Sequence, residues 1–557
     1  MKNTDFDVVM VGAGAGGGAC AWSLSHAGIK VLLLEAGPAY NPVKDYQLDQ
    51  VQWEHGLFPD KKPDHDFYTV SSLQSLSKSR DHLRSRNHIT GLYNTSDKRQ
   101  PYLYHHVSGV GGSTLHFTGE AHRMNLSSMQ MLSQFNVGAD WPVSYQTLEP
   151  YYQQAEKLIG VAGPEQDIYR PRSAPYPLPA HSFSYASQKI AMAMTKIGLT
   201  AKANARAALS IPYDNRPACN YCANCNRGCP RTDKGSVDVT FIRKALATGN
   251  LELQTESTVL NLVAGAEDQI KHLIFKNKQG IQQVKTRVIV IAAGAIQTPR
   301  LLLLSENQYA ADGLANESGL VGKNFMETLA WISNGIHPEN IASQRGLPAD
   351  LISWDYNLPD AIPGVIGGCR FGSTVSEANL LGPINYAARV VSGWGKQHQQ
   401  KMKESYGNVI SIGAIGEQLS NPKSFVSLHK HQKDKNGLAK AVINSYLTEM
   451  DINRLDFMAN KTREILKATG VHDIFEEYGS YDFFSSTHVF GTCRMGNNKE
   501  QSVVNSFGQS HRWKNLFIAD ASVFPSTGGG ESPSLTIEAL AIRTAEKIKE
   551  LLIKRVL

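Results

Sequence analysis

The residues Gly12-x-Gly14-x-x-Gly17 stand between an apolar run at 7–11 and an Ala-rich stretch reaching Ala27, and a second apolar run, 31–34, ends at Glu35. Apolar runs of this length on either side of a glycine turn and a helix-length segment predict strand, turn, helix, strand. In that arrangement the first glycine permits the tight turn and the second lets a pyrophosphate approach the backbone. The third lets helix and strand pack, and the free amides at the helix start face the phosphates. Glu35 follows Gly17 by eighteen residues, where a carboxylate accepts from ribose hydroxyls. A glycine turn that serves packing alone is the bland alternative, and the pattern does not separate FAD from NAD.

The rest of the composition narrows the class. The 56 Lys+Arg and 50 Asp+Glu leave a formal charge of +6 over 557 residues, too dilute for a nucleic-acid or polybasic membrane surface. The most apolar stretches, 288–296 and 301–304, are split by Gln297-Thr298-Pro299-Arg300 and fall short of the ~20 residues a spanning helix needs. No transmembrane segment is expected. Of seven cysteines, four crowd into 219–229, which is not a disulfide framework and fits a reducing compartment of synthesis. The first residues, with one Lys and two Asp, end in no cleavage-site pattern, so no signal peptide is expected and the location reads as cytoplasmic. The chain has no G-x-S-x-G elbow, P-loop or H-E-x-x-H, which removes the commonest hydrolase, NTPase and zinc-protease readings.

Further along, a helical pattern follows Trp141-Pro142, strands and hairpins are expected over 251–263 and 270–293, and residues 327–481 mix short apolar runs with turn residues. A last strand at 516–518 precedes an amphipathic helix over about 535–552. A strand ending in Ala519-Asp520-Ala521-Ser522 ahead of a long helix places a carboxylate and a helix start at a sheet edge, where a polar chain can lie.

Several segments together resemble one family. Glu35-Ala36-Gly37-Pro38, the run Gly109-Val110-Gly111-Gly112-Ser113-Thr114-Leu115-His116, Trp141-Pro142, Ala292-Ala293-Gly294-Ala295 and Asn515-Leu516-Phe517-Ile518-Ala519-Asp520-Ala521-Ser522 fall in the order seen in the glucose-methanol-choline (GMC) flavin oxidoreductases. The branch with the large subunits of bacterial gluconate, fructose and glucose dehydrogenases looks nearest. The resemblance implies an α/β fold: a Rossmann-like FAD-binding domain from 1–45, 100–135, 215–326 and 500–557. A substrate-binding domain on a mostly antiparallel sheet follows from 46–99, 136–214 and 327–499. It implies FAD held by Gly12, Gly14, Gly17, Glu35, Gly111, Gly112, Ser113, His116, Ala293, Asp520 and Ala521. His116 matches a stretch where relatives bond the flavin 8α-methyl carbon covalently, and noncovalent packing fits the sequence equally.

His488, in Ser486-Thr487-His488-Val489-Phe490-Gly491, matches the family's active-site histidine. A neutral imidazole suits removal of an alcohol proton while the adjacent carbon gives hydride to the flavin. Relatives carry a second His or Asn before the final helix, where this chain has Ser532 beside Glu531. A serine hydroxyl reaches less far, so Glu531 is the alternative, or the chemistry is altered. A second departure is Met326-Glu327-Thr328, where many relatives have Met-Asp-His, and it reads as peripheral.

Cys219-x2-Cys222-x2-Cys225-x3-Cys229-Pro230 has the spacing of a bacterial ferredoxin loop, and the related sugar dehydrogenases carry a 3Fe-4S cluster here with different spacing. A 3Fe-4S or 4Fe-4S cluster at 219–230 is expected, with structural zinc and a metal-free loop as rivals. The expected function is a dehydrogenase of sugars, sugar acids or other alcohols that passes electrons outward through the cluster. An oxygen-using oxidase and a flavoprotein with altered chemistry are the alternatives. The implied partners are a cytochrome-like electron-carrier subunit and a small export partner, which would place the enzyme in the periplasm.

Overall fold

The computed structural model describes residues 6–557 except 47, 49, 51, 52, 55–65 and 166–169. The first five residues, part of the signal-peptide reading, lie outside them. The two apolar runs form the parallel strands Phe6–Val11 and Val31–Leu34, joined by the helix Ala15–His26. On one side Leu251–Gln254 pairs with Val31–Leu34, and on the other Gly280–Ile291 pairs with Phe6–Val11. The C-terminal strand Leu516–Ile518 then joins Gly280–Ile291, also in parallel. The front half of Gly280–Ile291 turns away and pairs antiparallel with Ile270–Asn277, which pairs with Thr258–Ala264. Val8, Val9, Met10 and Val288 through Ile291 are fully buried, as expected of a parallel sheet covered on both faces. Each contributes roughly 1.5–3 kcal/mol by leaving water. The closing helix Ser534–Ile553 packs against Ala15–His26.

A second sheet is antiparallel at every pairing. Its order is Gly91–Leu92, Arg86–Asn87, Asp473–Gly479, Leu329–Ile336, Val409–Gly416, Cys369–Ser373, Leu351–Ser353 and Lys202–Ala203. Successive side chains on a strand point to opposite faces, and this sheet uses the two faces differently. Leu329, Trp331, Phe371, Ile410, Ile412 and Ala414 pack with Leu455, Met458 and Ile465 of the helix Glu449–Ala468. The alternate residues Ala330, Ile332, Arg370, Gly413, Ile415 and Tyr478 face a cavity between this sheet and the glycine turn.

The short apolar runs read over 327–481 give no hint of the twenty-residue helix Glu449–Ala468. Its local signal is the Thr448-x-x-Asp451 capping box. Thr448 Oγ1 accepts from the Asp451 amide at 3.2 Å and Asp451 Oδ2 accepts from the Thr448 amide at 2.8 Å, which satisfies two amides a helix start otherwise leaves open.

Candidate active site

The cavity measures about 1230 Å³ and runs from the glycine turn to the antiparallel sheet. One small ligand typically occupies ~300–1,000 Å³, so a dinucleotide and a second molecule both have room. At the nucleotide end Gly12 has a φ of 97°, and a Cβ there would lie 2.5 Å from the Ala292 carbonyl oxygen. Gly17 is a packing glycine: its Cβ would come within 1.8 Å of the Gly12 oxygen. Gly14 differs. It lines the cavity at the start of Ala15–His26, no side chain caps that helix, and a Cβ there would meet only Gly112 Cα, at 3.9 Å.

The second glycine run closes over this turn. Gly111, in left-handed conformation, donates its amide to the Ala13 carbonyl at 2.9 Å and does not itself line the cavity, whereas Gly112, Ser113 and His116 do. The His116 ring stacks near His105, with 6.4 Å between centroids. Glu35 lines the cavity too, but Oε2 accepts from the Ala13 amide and Oε1 from the Gly37 amide, both at 2.8 Å. Its carboxylate thus ties the glycine turn to the second strand. Asp520 plays the same part: Oδ2 accepts from the Gly294 amide at 2.9 Å and Thr298 Oγ1 at 2.6 Å, and Oδ1 from the Ser522 amide at 2.8 Å. Asp520 therefore fixes the helix start at Gly294, beside Ala293 and Ala521 on the cavity wall.

At the far end His488 and Ser532 line the same cavity. Burial pushes the His488 imidazole down to about 4, with Glu120 pulling upward and Arg370 downward, so the ring is neutral near pH 7. Ser532 Oγ donates to Glu120 Oε2 at 2.9 Å, and the Ser532 amide donates to His122 Nδ1 at 3.1 Å. Glu120 also accepts from Arg370 at 2.5 Å and from Asn204 at 2.8 Å. Burial pushes the Glu120 carboxyl up, but Arg370, His122, Arg206 and Ser532 outweigh it and hold the group well below the usual carboxylate range.

The structure does not bring Glu531 to the cavity. Its Oε1 accepts from Arg170 at 2.6 Å and Asn357 at 3.0 Å in the interior, and the carboxylate that meets Ser532 at the cavity is Glu120. Glu327 likewise stays off the cavity wall, in a buried ion pair with Arg99 at 2.7 Å.

Two GMC oxidoreductase family models match the chain, one over residues 15–330 and one over 420–541. The chain belongs to the GMC oxidoreductase family. It is 28% identical to the 2-methyl-1,2-propanediol dehydrogenase of Mycolicibacterium austroafricanum, covering 97% of this chain and 95% of that one. It is also 28% identical to the fructose dehydrogenase large subunit of Gluconobacter japonicus, covering 97% of each. The crystal structure of pyridoxine 4-oxidase from Mesorbium loti superposes with a TM-score of 0.61 at 18% identity, covering 98% and 99% of the two chains.

GMC oxidoreductases bind FAD and act on alcohols and sugars. The residues here fit that cofactor: the uncapped helix start at Gly14 is a backbone cradle that any Cβ would begin to fill, and bare amides suit phosphates. The cysteine loop of this GMC oxidoreductase does not fit the expected cluster. Among the described residues no group of three or more His, Cys, Asp or Glu side chains is placed to hold a metal ion. Cys222 is exposed, whereas Cys225 is buried against Ala208 and Leu347. Cys229 Sγ donates to Asp233 Oδ1 at 3.3 Å, and burial with the Asp233 charge pushes its thiol up to about 11. Spacing counts residues along the chain, and Cys219, packed beside Cys225, shares the Asp233 carboxylate with Cys229. Iron–sulfur or zinc ligation by Cys219, Cys222, Cys225 and Cys229 is therefore unsupported.

Glu120 and Arg370 escape a reading of the sequence because neither stands in a motif of its own. Ser532 lies 412 positions from Glu120 and Arg370 lies 250 from it. The only local sign is Glu120 itself, an acid four residues after the His116 run.

Proposed function

We propose that this chain is an FAD-dependent dehydrogenase that oxidises a CH–OH group of a sugar, sugar acid or other alcohol, with His488 as the base. One observation carries the reading: a neutral imidazole and an anchored acid, Glu120, face the same cavity as the glycine cradle. A substrate hydroxyl between His488 and Ser532 gives its proton to the imidazole as the carbon–oxygen double bond forms. When bound, FAD supplies the two-electron acceptor for the hydride leaving that carbon. Ser532, its hydroxyl proton engaged by Glu120, bounds the pocket beside the substrate oxygen by contact, and Glu120 and Arg370 hold Ser532 in place. The charge of Glu120 also favours the imidazolium that results. Ser532 thus occupies the second group's position with Glu120 behind it.

An external acceptor is the destination this reading assigns to the electrons, in line with the names of the two dehydrogenase relatives. A separate electron-carrying subunit is the corresponding partner, and the "large subunit" in the name of the fructose relative supports that choice. Side chains at 219–229 that are not placed to hold a metal favour direct transfer over an internal relay, and they also suit an oxygen-using oxidase. His488→Ala should slow flavin reduction by substrate ~10²–10⁴-fold with flavin content unchanged. A loss under tenfold moves the base elsewhere. Stoichiometric peroxide without reduction of an artificial one-electron acceptor replaces the dehydrogenase with an oxidase, and flavin that stays soluble after acid precipitation rules out a bond to His116.

A further inference from the structure

Of the acids that line the cavity, one keeps a buried oxygen without a hydrogen-bond partner among the described residues. Glu377 follows the strand Cys369–Ser373 and lines the cavity on the substrate side. Its Oε2 is buried without a hydrogen-bond partner, which is costly for a carboxyl group unless something else completes it. Burial pushes this carboxyl up to about 7, Arg206 and Arg370 pull it down, and Glu120 pushes it up.

The segment that carries Glu377 is held from behind by the cysteine loop. Ser376 Oγ donates to the Ala223 carbonyl at 2.9 Å, Asn226 Nδ2 donates to the Ser376 carbonyl at 3.2 Å, and Arg227 donates to Asn379 Oδ1. Bonds on both sides of Glu377 limit how far it can swing away. An unmet acceptor is thus kept on the wall of a substrate cavity, near the Glu120–Arg370 pair.

We infer that Glu377 is a specificity-determining residue: its open carboxyl oxygen accepts from a substrate hydroxyl on a carbon other than the one oxidised, so the cavity selects polyhydroxylated substrates over monohydric alcohols. This rests on the reading of His488 as an alcohol base. A hydroxyl suits either protonation state, since it donates to a carboxylate and accepts from a carboxylic acid. An ammonium suits the site less, because Arg206 and Arg370 already act on Glu377.

The test uses the FAD-loaded enzyme with an artificial one-electron acceptor. The polyols are ethane-1,2-diol, glycerol, D-glucose, D-fructose and D-gluconate; 1-propanol and 1-butanol are the monohydric set, and 2-aminoethanol is the amine. Wild type should prefer at least one polyol to both monohydric alcohols. Glu377→Leu should lower kcat/KM for that polyol about 10–100-fold, mainly through KM, as expected when a hydrogen bond to a charged or polar group is lost. Its kcat/KM for 1-propanol should change less than threefold. Glu377→Gln keeps an acceptor oxygen and should recover most of the loss. Equal losses for polyol and monohydric alcohol, a Gln variant no better than Leu, or a wild type that prefers 1-butanol to every polyol would each overturn the assignment. So would tighter use of 2-aminoethanol than of ethane-1,2-diol. Failure of every alcohol to reduce the wild-type flavin refutes the alcohol reading itself, before Glu377 is in question.

Discussion

The pH profile of flavin reduction tests whether His488 is the base in the environment described. An unperturbed histidine titrates near 6.5, whereas burial places His488 at about 4. The difference corresponds to about 3 kcal/mol for charging the ring inside the cavity. At pH 5 a group with a pKa of 4 is about 90% neutral, while one at 6.5 is only about 3% neutral. The rate of flavin reduction by a monohydric alcohol, measured anaerobically by stopped flow, should therefore stay nearly flat from pH 8 to 5. It should then fall tenfold per unit below the low pKa. The monohydric alcohol keeps Glu377 out of the profile. Glu120→Gln removes the charge that supports the imidazolium and leaves Arg370 opposing it, so the inflection should move to still lower pH. An inflection near 6.5 in wild type, or an upward shift in Glu120→Gln, would refute the reasoning.

Other perturbations follow from single contacts. Gly14→Val should fold normally yet bind no flavin, because its Cβ fills the cradle and touches no protein atom closely, whereas Gly17→Val should not fold, with Gly12 oxygen 1.8 Å away. Melting curves and bound-flavin absorbance separate the two. Ser532→Asn retains a donor toward Glu120 and extends the side chain into the cavity, so flavin reduction should be unchanged or faster, and a collapse would show that the geometry requires the serine. Native protein should carry no stoichiometric iron and show one fast thiol, Cys222, the exposed one among seven; four protected thiols with matching iron would restore the cluster.

What could be read in the chain and what could not divides by the range of the interactions. The glycine turn, the strand at 516–518 and the closing helix are written in consecutive residues, because local sterics and burial on both sheet faces demand those residue types. His488 is singled out by its neighbours, and the fold puts it on the cavity wall. Glu120 has no such signal, since its contacts form only when Arg370 and Ser532 arrive from the second sheet and the C-terminal segment. The cysteines show the opposite case. Their spacing is a local pattern, but ligation depends on where side chains point, and Cys222 and Cys225 face different surroundings. Glu531 and Ser532 are adjacent in sequence, yet only the serine reaches the cavity wall.

The placement of Leu516–Ile518 beside Gly280–Ile291 has a consequence for biosynthesis. Gly16, in the first turn of the helix Ala15–His26, packs so closely on the Ala519 carbonyl that a Cβ there would lie 1.6 Å from it, and Asp520 closes the helix start at Gly294. The nucleotide cradle is therefore built from the first and last parts of the chain. Domains generally fold as units as synthesis proceeds, and this one lacks a strand and the Asp520 contacts until residue 520 has been made. A nascent chain stalled before residue 520 lacks the Ala519 and Asp520 contacts and should be unable to retain flavin.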